Sequence, residues 1–148
     1  ALGIADRVGV MRNGVLEQIA APIELYDRPT SAFVAEFVGL TNPMRGIVSN
    51  GGIEIFGARV PVLPGSVKSG IGIALVRPES LNIKANSAGA AKVFASSFLG
   101  ASCRFTINLA DGTRITAQVP SSDAPFLVAG VAVDVEFKPM PVFVKDAI

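Results

Sequence analysis

The sequence predicts a mainly β protein, and two observations lead to this class. Short runs that are apolar, or that alternate between apolar and polar residues, recur from residue 45 onward. Fifteen glycines and ten prolines provide turns between these runs. No apolar run approaches the ~20 residues that a membrane-spanning helix needs. Many short strands joined by such turns are typical of a barrel or a sandwich. A small five-stranded OB-like barrel with extra strands fits about a hundred residues.

Residues 1–44 differ from the rest and predict a helix, a hairpin and two further short helices. Val8–Arg12 and Val15–Ile19 are short apolar runs separated by Asn13-Gly14. Both residues of this pair tolerate positive φ, which makes the pair a strong signal for a two-residue hairpin turn.

Two short helices are predicted after this hairpin. Pro22 can occupy the first turn of a helix that runs to about Asp27. Thr30 or Ser31 can cap the next helix, and Gly39 can end it. The second helix places four apolar side chains on one face, which we interpret as core packing: Phe33, Val34, Phe37 and Val38.

A domain boundary is predicted at residues 39–43, where Gly, Asn and Pro interrupt the chain and a strand pattern begins. We therefore divide the chain into residues 1–40 and residues 41–148. Ile71–Val76 is apolar on both sides, as expected of a central strand. Val131–Phe137 alternates, with its odd-numbered residues Val131, Val133, Val135 and Phe137 facing the core. The other predicted strands are Gly46–Ser49, Ile53–Phe56, Ala58–Val62, Ser80–Ile83, Lys92–Leu99 and Val142–Val144.

The clearest structural signal is a second hairpin, formed by Ser102–Leu109 and Thr113–Val119. Both segments alternate between apolar and polar residues. Placing both apolar sets on one face pairs Ile107 with Ile115 and leaves a three-residue loop. Gly112 then falls where a type I turn followed by a bulge needs a left-handed residue.

Composition excludes several classes of function. The chain has no histidine, which removes histidine metal sites and the Ser–His and Cys–His pairs of nucleophilic enzymes. No Gly-rich phosphate loop of the Walker type is present. The one cysteine, Cys103, cannot form an internal disulfide and fits a reducing compartment. We therefore expect neither an enzyme, nor a metal site, nor a cofactor in these 148 residues.

Three segments resemble motifs of ABC importer ATPases, in the same order and at the family's spacing. The segment from Ala1 to Gly14 resembles the stretch that follows the switch histidine of the nucleotide-binding domain. Pro22–Pro29 resembles the P-x-E-L-Y-x-x-P motif, and Phe33–Gly39 resembles F-V-A-x-F-[IV]-G. One departure is Ala21, which stands where the family often has a capping Thr.

Two further segments resemble the TOBE-type regulatory domain of the same family. Val76–Glu79 resembles its R-P-E motif at the end of a barrel strand, and Phe98–Gly100 resembles the F/Y-L-G element that opens its second repeat. The resemblance implies an OB-like TOBE barrel in residues 41–148 and a tail of the nucleotide-binding domain in residues 1–40. It also implies that the Walker motifs, the signature motif and the switch histidine precede this segment, so that ATP and Mg²⁺ belong to the parent subunit.

The resemblance favours a regulatory and dimerising module of an importer ATPase whose parent subunit couples ATP hydrolysis to solute uptake. The segment 39–42, Gly-Leu-Thr-Asn, is closer to the G-x-T-N of the spermidine/putrescine type than to the maltose type, which makes polyamine the favoured solute. Import of a sugar, glycerol phosphate or ferric iron is the alternative. In a strand-like geometry, Arg77 and Glu79 would point the same way. The candidate regulatory or interface residues are Arg77, Pro78, Glu79, Phe33 and Phe37.

Two other binding functions are considered. The first is a small-ligand module that binds an oxyanion or a sugar, and an oxyanion site could use backbone amides together with Arg77, Lys84 or Arg104. An OB-type nucleic-acid binder would need exposed aromatic side chains on a basic groove. The chain has no tryptophan, its one tyrosine is Tyr26 outside the barrel, and its phenylalanines fall mostly on inward phases. We therefore expect no nucleic-acid partner.

The expected partners are a second copy of the chain and, through the parent nucleotide-binding domain, the permease subunits. The resemblance implies a cytoplasmic protein that is peripheral on the inner face of the plasma membrane. Without the rest of that domain, several apolar side chains of residues 1–40 lose burial, and we expect these residues to contribute much of a homodimer interface. They are Val8, Val10, Leu16, Ile19, Phe33 and Phe37.

Overall fold

The computed structural model describes residues 6–124 and 127–147 of the chain. These residues form two compact units, one of residues 6–76 with 140–147 and one of Arg77–Pro139. Strands dominate both units, which confirms the mainly β class. In the described residues the elements are β1 (Val8–Arg12), β2 (Val15–Ala20), α1 (Pro22–Asp27), α2 (Ala32–Val38), β3 (Asn42–Ser49), β4 (Gly52–Ile55), β5 (Ala58–Pro61), β6 (Gly70–Val76), β7 (Leu81–Ala85), β8 (Ala91–Phe98), β9 (Ser102–Asn108), β10 (Arg114–Pro120), β11 (Ala132–Phe137) and β12 (Phe143–Asp146), with 3₁₀ helices at Pro78–Ser80 and Ser121–Asp123.

The N-terminal hairpin forms as its turn signal predicts. β1 and β2 pair in antiparallel fashion, with Arg12 opposite Val15. Asn13 and Gly14 between them have positive φ values of 52° and 78°, as a type I′ turn requires. The helix predicted at the start of the chain falls largely on residues outside the described ranges.

Both predicted short helices are present. Pro22 is the first residue of α1, and Ala21 at the cap position makes no side-chain hydrogen bond to the helix. Ser31 caps α2, because its Oγ accepts a hydrogen bond from the Val34 amide at 3.2 Å. Gly39 follows the last residue of α2 in an extended conformation, with φ 179°, so the helix ends there without a left-handed cap.

The first unit has two small apolar clusters on its helices. One cluster joins the hairpin to both helices through the buried Val10, Ala20, Leu25 and Val34. The other joins α2 to the sheet of the same unit, which makes the helix part of that unit's core. Its buried members are Ala35, Leu63, Leu75 and Phe143, with Ala32 and Ile73 packed against them.

The sheet of the first unit has the strand order β12-β6-β3-β4-β5. β6 lies between β12 and β3, which confirms its predicted central position. β12 comes from the far end of the chain and places Phe143 opposite Leu75 of β6. The named strand pairs of this sheet are all antiparallel.

The sheet of the second unit has the strand order β10-β9-β8-β11-β7. The predicted register of its β9–β10 hairpin is confirmed, with Ile107 opposite Ile115. Leu109 donates its amide to the Thr113 carbonyl at 2.8 Å, and Gly112 has a φ of 88°. Five inward side chains of the hairpin are buried: Phe105, Ile107, Ile115, Ala117 and Val119.

The predicted burial along β11 and the predicted domain boundary are not confirmed. Of the four odd-numbered residues predicted to face the core, only Val133 is fully buried, and Val131, just before β11, and Val135 and Phe137 on it keep part of their surface in contact with solvent. The compact units are divided between Val76 and Arg77 rather than near residue 40. The predicted domain boundary between residues 40 and 41 therefore stays a prediction.

Candidate functional site

The Arg-Pro-Glu motif forms a tight turn in the second unit. Arg77 has an extended conformation and precedes a 3₁₀ helix that begins at Pro78. The Ser80 amide donates to the Arg77 carbonyl at 3.0 Å, and the Ser80 carbonyl accepts from the Lys138 amide at 2.9 Å. Pro78 and Ser80 are buried, whereas Arg77 and Glu79 are half-buried. The motif therefore anchors the start of β7 and presents two charged side chains beside it.

The strand-like geometry expected for this motif is wrong. The ring of Pro78 fixes φ near the helical value, which suits the first position of a helical turn as well as the end of a strand. In a 3₁₀ turn, Arg77 and Glu79 do not form the row that residues two apart form in a strand. The predicted strand start at Ser80 is likewise replaced by this turn, and β7 begins at Leu81.

The second group of candidate residues lies on α2 in the first unit. The rings of Phe33 and Phe37 stack, with centroids 5.6 Å apart and an angle of 24° between their planes. The Arg12 guanidinium carbon lies 5.0 Å from the centroid of the Phe33 ring. Glu36 forms an ion pair with Lys145 of β12 at 3.2 Å. Arg12, Ala32, Phe33, Glu36 and Phe37 line a shallow groove.

The interpretation of both phenylalanines as core residues is wrong for Phe37. This side chain is 67% exposed, whereas Phe33 is half-buried and Val34 is fully buried. A face of four apolar residues can be buried only where other elements cover it, and this cover ends between Phe33 and Phe37. We call the exposed large apolar side chains of residues 11–40 the N-terminal apolar set: Met11, Val15, Leu16, Ile19, Ile23, Phe37 and Leu40.

The cations considered for an oxyanion site do not gather at one place. Lys84 lies on β7 and Arg104 on β9, and these strands are not neighbours in the sheet. Arg104 instead donates to Oε1 of Gln118 at 2.9 and 3.2 Å.

A loop in the first unit was not found by sequence reasoning. Residues 62–68, with Asn50 and Gly51, line an open groove that carries the exposed Lys68 at one end. The loop is fixed by Ser66, whose buried Oγ accepts a hydrogen bond from the Val144 amide at 2.9 Å. The Pro-Gly-Ser sequence at residues 64–66 signals a turn, but nothing in it signals a groove.

Part of the reasoning against a nucleic-acid binder is also wrong. Phe56, Phe94 and Phe98 are 66%, 48% and 74% exposed, so the described phenylalanines do not mostly face inward.

Among residues 6–124 and 127–147, no cluster of three or more acidic or cysteine side chains could hold a metal ion. None of the described helices is long and apolar enough to cross a membrane.

Comparison with protein families places a known domain in this chain. Residues 74–144 match the TOBE domain. This stretch runs from the end of β6 through the whole second unit to β12, and it contains both the Arg-Pro-Glu turn and the β9–β10 hairpin.

Curated relatives extend the likeness to most of the chain. The spermidine/putrescine import ATP-binding protein PotA of Pseudomonas fluorescens is 35% identical over 82% of this chain and 36% of its own length. The same protein from Rubrobacter xylanophilus is 32% identical over 91% of this chain and 39% of its own length. The sulfate/thiosulfate import ATP-binding protein CysA of Xylella fastidiosa is 38% identical over 74% of this chain and 31% of its own length. The chain thus spans about a third of the length of these relatives and matches their C-terminal region.

A solved structure supports the fold. The cytoplasmic molybdate-binding protein ModG, crystallised with molybdate bound, superposes with a TM-score of 0.56 over 72% of this chain and 96% of its own. Its sequence is 18% identical, so this likeness establishes the OB-like fold and nothing further. Residues 74–144 are a TOBE domain, and the chain is a relative of the C-terminal regions of ABC importer ATP-binding proteins.

Proposed function

We propose that this chain is the regulatory and dimerising part of an ABC importer ATP-binding subunit, whose parent protein couples ATP hydrolysis to solute uptake. The observation that carries this proposal is the identity of 35% with an importer ATP-binding protein over 82% of the chain. We further propose that the parent acts at the cytoplasmic face of the membrane together with permease subunits. ATP and Mg²⁺ belong, on this proposal, to the rest of the parent.

The N-terminal apolar set supports the same proposal. Ile19 is 47% exposed, Ile23 71% and Phe37 67%, although each is a large apolar side chain in a regular element. Burying one such side chain stabilises a complex by about 1.5–3 kcal/mol. We propose that the ATP-binding part of the parent covers these residues.

A split-protein experiment tests this docking. The chain is mixed with the ATP-binding part of the Pseudomonas fluorescens relative, and association is measured by calorimetry. We expect binding that Ile19→Glu weakens about tenfold or more, because a charge cannot be buried against an apolar surface. Ile47→Glu is the matched control, since Ile47 is 61% exposed on β3 of the same unit. No binding, or equal loss in both variants, contradicts the proposal.

The chain alone should not bind ATP. The sequence carries no Walker-type phosphate loop, and no histidine could serve as a switch residue. Titration of the chain with Mg-ATP should give no heat of binding, and micromolar affinity would contradict this expectation.

Polyamine stays our preferred solute for the parent transporter, on the Gly-Leu-Thr-Asn segment at residues 39–42. The relatives include both polyamine and sulfate importers at 35% and 38% identity, which does not separate the two. Uptake of labelled putrescine and of labelled sulfate in a strain that lacks the gene tests the preference. Loss of sulfate uptake alone would overturn it.

A second candidate function is the binding of a small oxyanion by the first unit. It is favoured by the groove of residues 62–68, where the Lys68 ammonium and nearby backbone groups surround an open space. Calorimetric titration with molybdate and with sulfate tests it, and Lys68→Gln should weaken any binding that depends on this groove. A heat of anion binding that Lys68→Gln leaves unchanged would mean that the anion binds outside this groove.

A further inference from the structure

An unusual stretch of exposed chain begins in the middle of β8. Every residue from Phe94 to Ala101 is exposed, although residues 94–98 belong to a strand. An ordinary sheet strand alternates between covered and exposed residues. We call residues 94–101 the β8 arm.

One edge of the β8 arm is unpaired. β9 pairs with β8 as far as Phe98, opposite Cys103. On the other side, β11 pairs only with Ala91 and Lys92, and Val93 makes the last backbone hydrogen bonds, with Gly130 and Val131. Within the described ranges, no strand pairs with the outer edge of β8 beyond Val93. The arm therefore presents free backbone donors and acceptors.

The β8 arm also carries most of the exposed large apolar side chains of the second unit. Among described residues these are Phe94, Phe98, Leu99 and Val128, with exposures of 48%, 74%, 50% and 60%. Val128 lies two residues before Gly130, which donates its amide to the Val93 carbonyl. Together the four residues expose roughly 400 Å². An exposed apolar area of this size is comparable to the largest apolar patch of a typical monomer, which is often functional.

The arm lacks two of the features that keep edge strands from associating, although a third, a register shift between Val93 and Ala95, is present at its start. Charged side chains and prolines normally block such edges. From Val93 to Cys103 the sequence contains neither a charged residue nor a proline.

The arm is held in place rather than loose. The tip of the β8–β9 hairpin is fixed by Ser121, whose Oγ donates to the Gly100 carbonyl and whose amide donates to the Ala101 carbonyl at 2.9 Å. The exposed strand is therefore already in the conformation that a new partner strand needs, which lowers the entropy lost on binding.

We propose that the β8 arm is the surface through which two copies of this chain dimerise, by antiparallel pairing of β8 with β8 of the second copy. The proposal rests on the homodimer expected for the proposed function and assigns its interface to this edge. It replaces the interface expected from the sequence in residues 1–40, which the proposed docking covers with the ATP-binding part instead. Two-fold pairing makes each free edge the partner of the other and leaves neither exposed.

Charge and area favour a second copy as the occupant. Residues 94–101 carry no charged side chain of their own, so the arm does not select an unrelated partner by charge, and two copies can pair along it without like charges on facing arm residues. The Arg114 guanidinium of β10 lies 3.9 Å from the centroid of the Phe94 ring and borders the arm in each copy. Two copies that bury the four apolar side chains and the backbone edge reach about 1,000 Å², which is the minimum expected of a biological interface and is typical of a weak one.

Three equally exposed phenylalanines allow a matched test in the full chain. Phe98→Glu alters the β8 arm, where the native side chain is 74% exposed. Phe37→Glu alters the N-terminal apolar set at a side chain that is 67% exposed. Phe56→Glu is the control in the β4–β5 turn, at a side chain that is 66% exposed. Light scattering over a concentration series gives the dimer dissociation constant. We expect Phe98→Glu to raise it about tenfold or more, whereas Phe37→Glu and Phe56→Glu leave it nearly unchanged. All three variants should keep the thermal midpoint of the parent chain, since each changes an exposed side chain.

Cross-linking supplies a second measurement that does not depend on affinity. In a Cys103→Ser background, single cysteines are placed at Ala95, Ser96 and Ser97, and Lys84→Cys on β7 is the control. Paired antiparallel strands bring opposite Cβ atoms to about 4.5–5.5 Å, close enough for a disulfide after oxidation. At least one β8 position should cross-link efficiently while the control does not.

The outcomes separate the inference from the proposed function. A dimer that Phe37→Glu dissociates and Phe98→Glu does not, without β8 cross-links, overturns the β8 interface and leaves the homodimer, joined through residues 1–40. A chain that is monomeric at high micromolar concentration overturns both the β8 interface and the homodimer. Neither result affects docking to the ATP-binding part, which the split-protein experiment measures separately.

Discussion

The two hairpins β1–β2 and β9–β10 have nearly equal sequence signals and unequal burial. Each has apolar strands and a glycine of positive φ in its turn, at Gly14 and Gly112. In β9–β10, the inward side chains of Phe105 and Ile107 are at most 1% exposed. In β1–β2 only Val10 and Ala20 are buried, and the exposed large apolar residues are Met11, Val15, Leu16 and Ile19.

This difference shows that strand pairing and side-chain burial are separate properties, although one sequence pattern is used to predict both. Turn residues and apolar runs determine that two segments pair and in what register. Whether the apolar side chains are then buried depends on what packs against the hairpin. β9–β10 is covered within its own unit, and we expect β1–β2 to be covered by a partner. Four experiments can break or sharpen this comparison.

The largest expected effect is that of a cavity in the covered hairpin. Ile107→Ala should lower the free energy of unfolding by about 3–4 kcal/mol, because Ile107 is fully buried. Ile19→Ala, the same change in β2, should lower it by less than ~0.5 kcal/mol. Denaturant unfolding of both variants measures the difference. Equal losses would mean that the two hairpins are buried alike in solution.

The second effect is that of removing residues 1–41. α2 covers Leu75 and Phe143 of the first unit's sheet, so a chain that begins at Asn42 should fold cooperatively but lose about 2–3 kcal/mol. Glu36→Gln is the control, since it breaks only the half-exposed ion pair with Lys145 and should cost less than ~0.5 kcal/mol. Circular dichroism during denaturation measures both. A non-cooperative transition of the shortened chain would contradict the predicted boundary.

The third effect compares the turns. Alanine at Gly112 or Gly14 would adopt a left-handed conformation, which costs about 1–2 kcal/mol at either position. Gly112→Ala should lower the global unfolding free energy by this amount. Gly14→Ala should instead speed amide hydrogen exchange in β1–β2 with little global change, because this hairpin can open locally. A full global loss in Gly14→Ala would show that the N-terminal hairpin unfolds only with the rest.

The smallest effect concerns acid. The Thr113 amide donates to Asp111 Oδ1 at 2.9 Å, and this hydrogen bond, with one from the Thr113 side chain, lowers the pKa of the Asp111 carboxyl. A lowered pKa in the folded state means that the stabilisation is present above the pKa of the unfolded chain and is lost as the pH falls below ~4. The carboxyl resonance of Asp111 should therefore titrate below that of an unfolded peptide. Asp111→Asn should remove this acid dependence, whereas the Asn13-Gly14 turn has no titratable group and should show none.

Much of the fold follows from local signals, and the failures have specific causes. Asn13-Gly14 predicts the turn of the β1–β2 hairpin because few residue types tolerate positive φ. The pairing of Ile107 with Ile115 predicts the register of the β9–β10 hairpin because each of its strands has one buried face. The strand-like geometry predicted at Pro78 is wrong because the fixed φ of proline suits a 3₁₀ turn as well as a strand end. The burial predicted for Phe37 and Phe94 is wrong, because the exposure of a side chain depends on elements that are distant in sequence. At Phe94, a register shift between Val93 and Ala95 also breaks the alternation of β8.

The sites were less predictable than the fold. Apolar residues indicate burial, and neither the exposure of Phe98 nor the groove beside Lys68 can be derived from a pattern of residue types. Both depend on where a strand extends past its neighbour or a loop leaves a space, which is a property of the assembled chain.

The pairing of β12 with β6 sets the order in which this chain can fold during synthesis. Leu75 leaves the ribosome about seventy residues before its neighbour Phe143. The whole segment Arg77–Pro139 is made in that interval, and it has its own sheet to form. The second unit can therefore fold first, while β6 waits with one edge open. A slow or failed synthesis of residues 140–146 would leave that edge available to other chains, which makes β12 a determinant of how much newly made protein stays unaggregated.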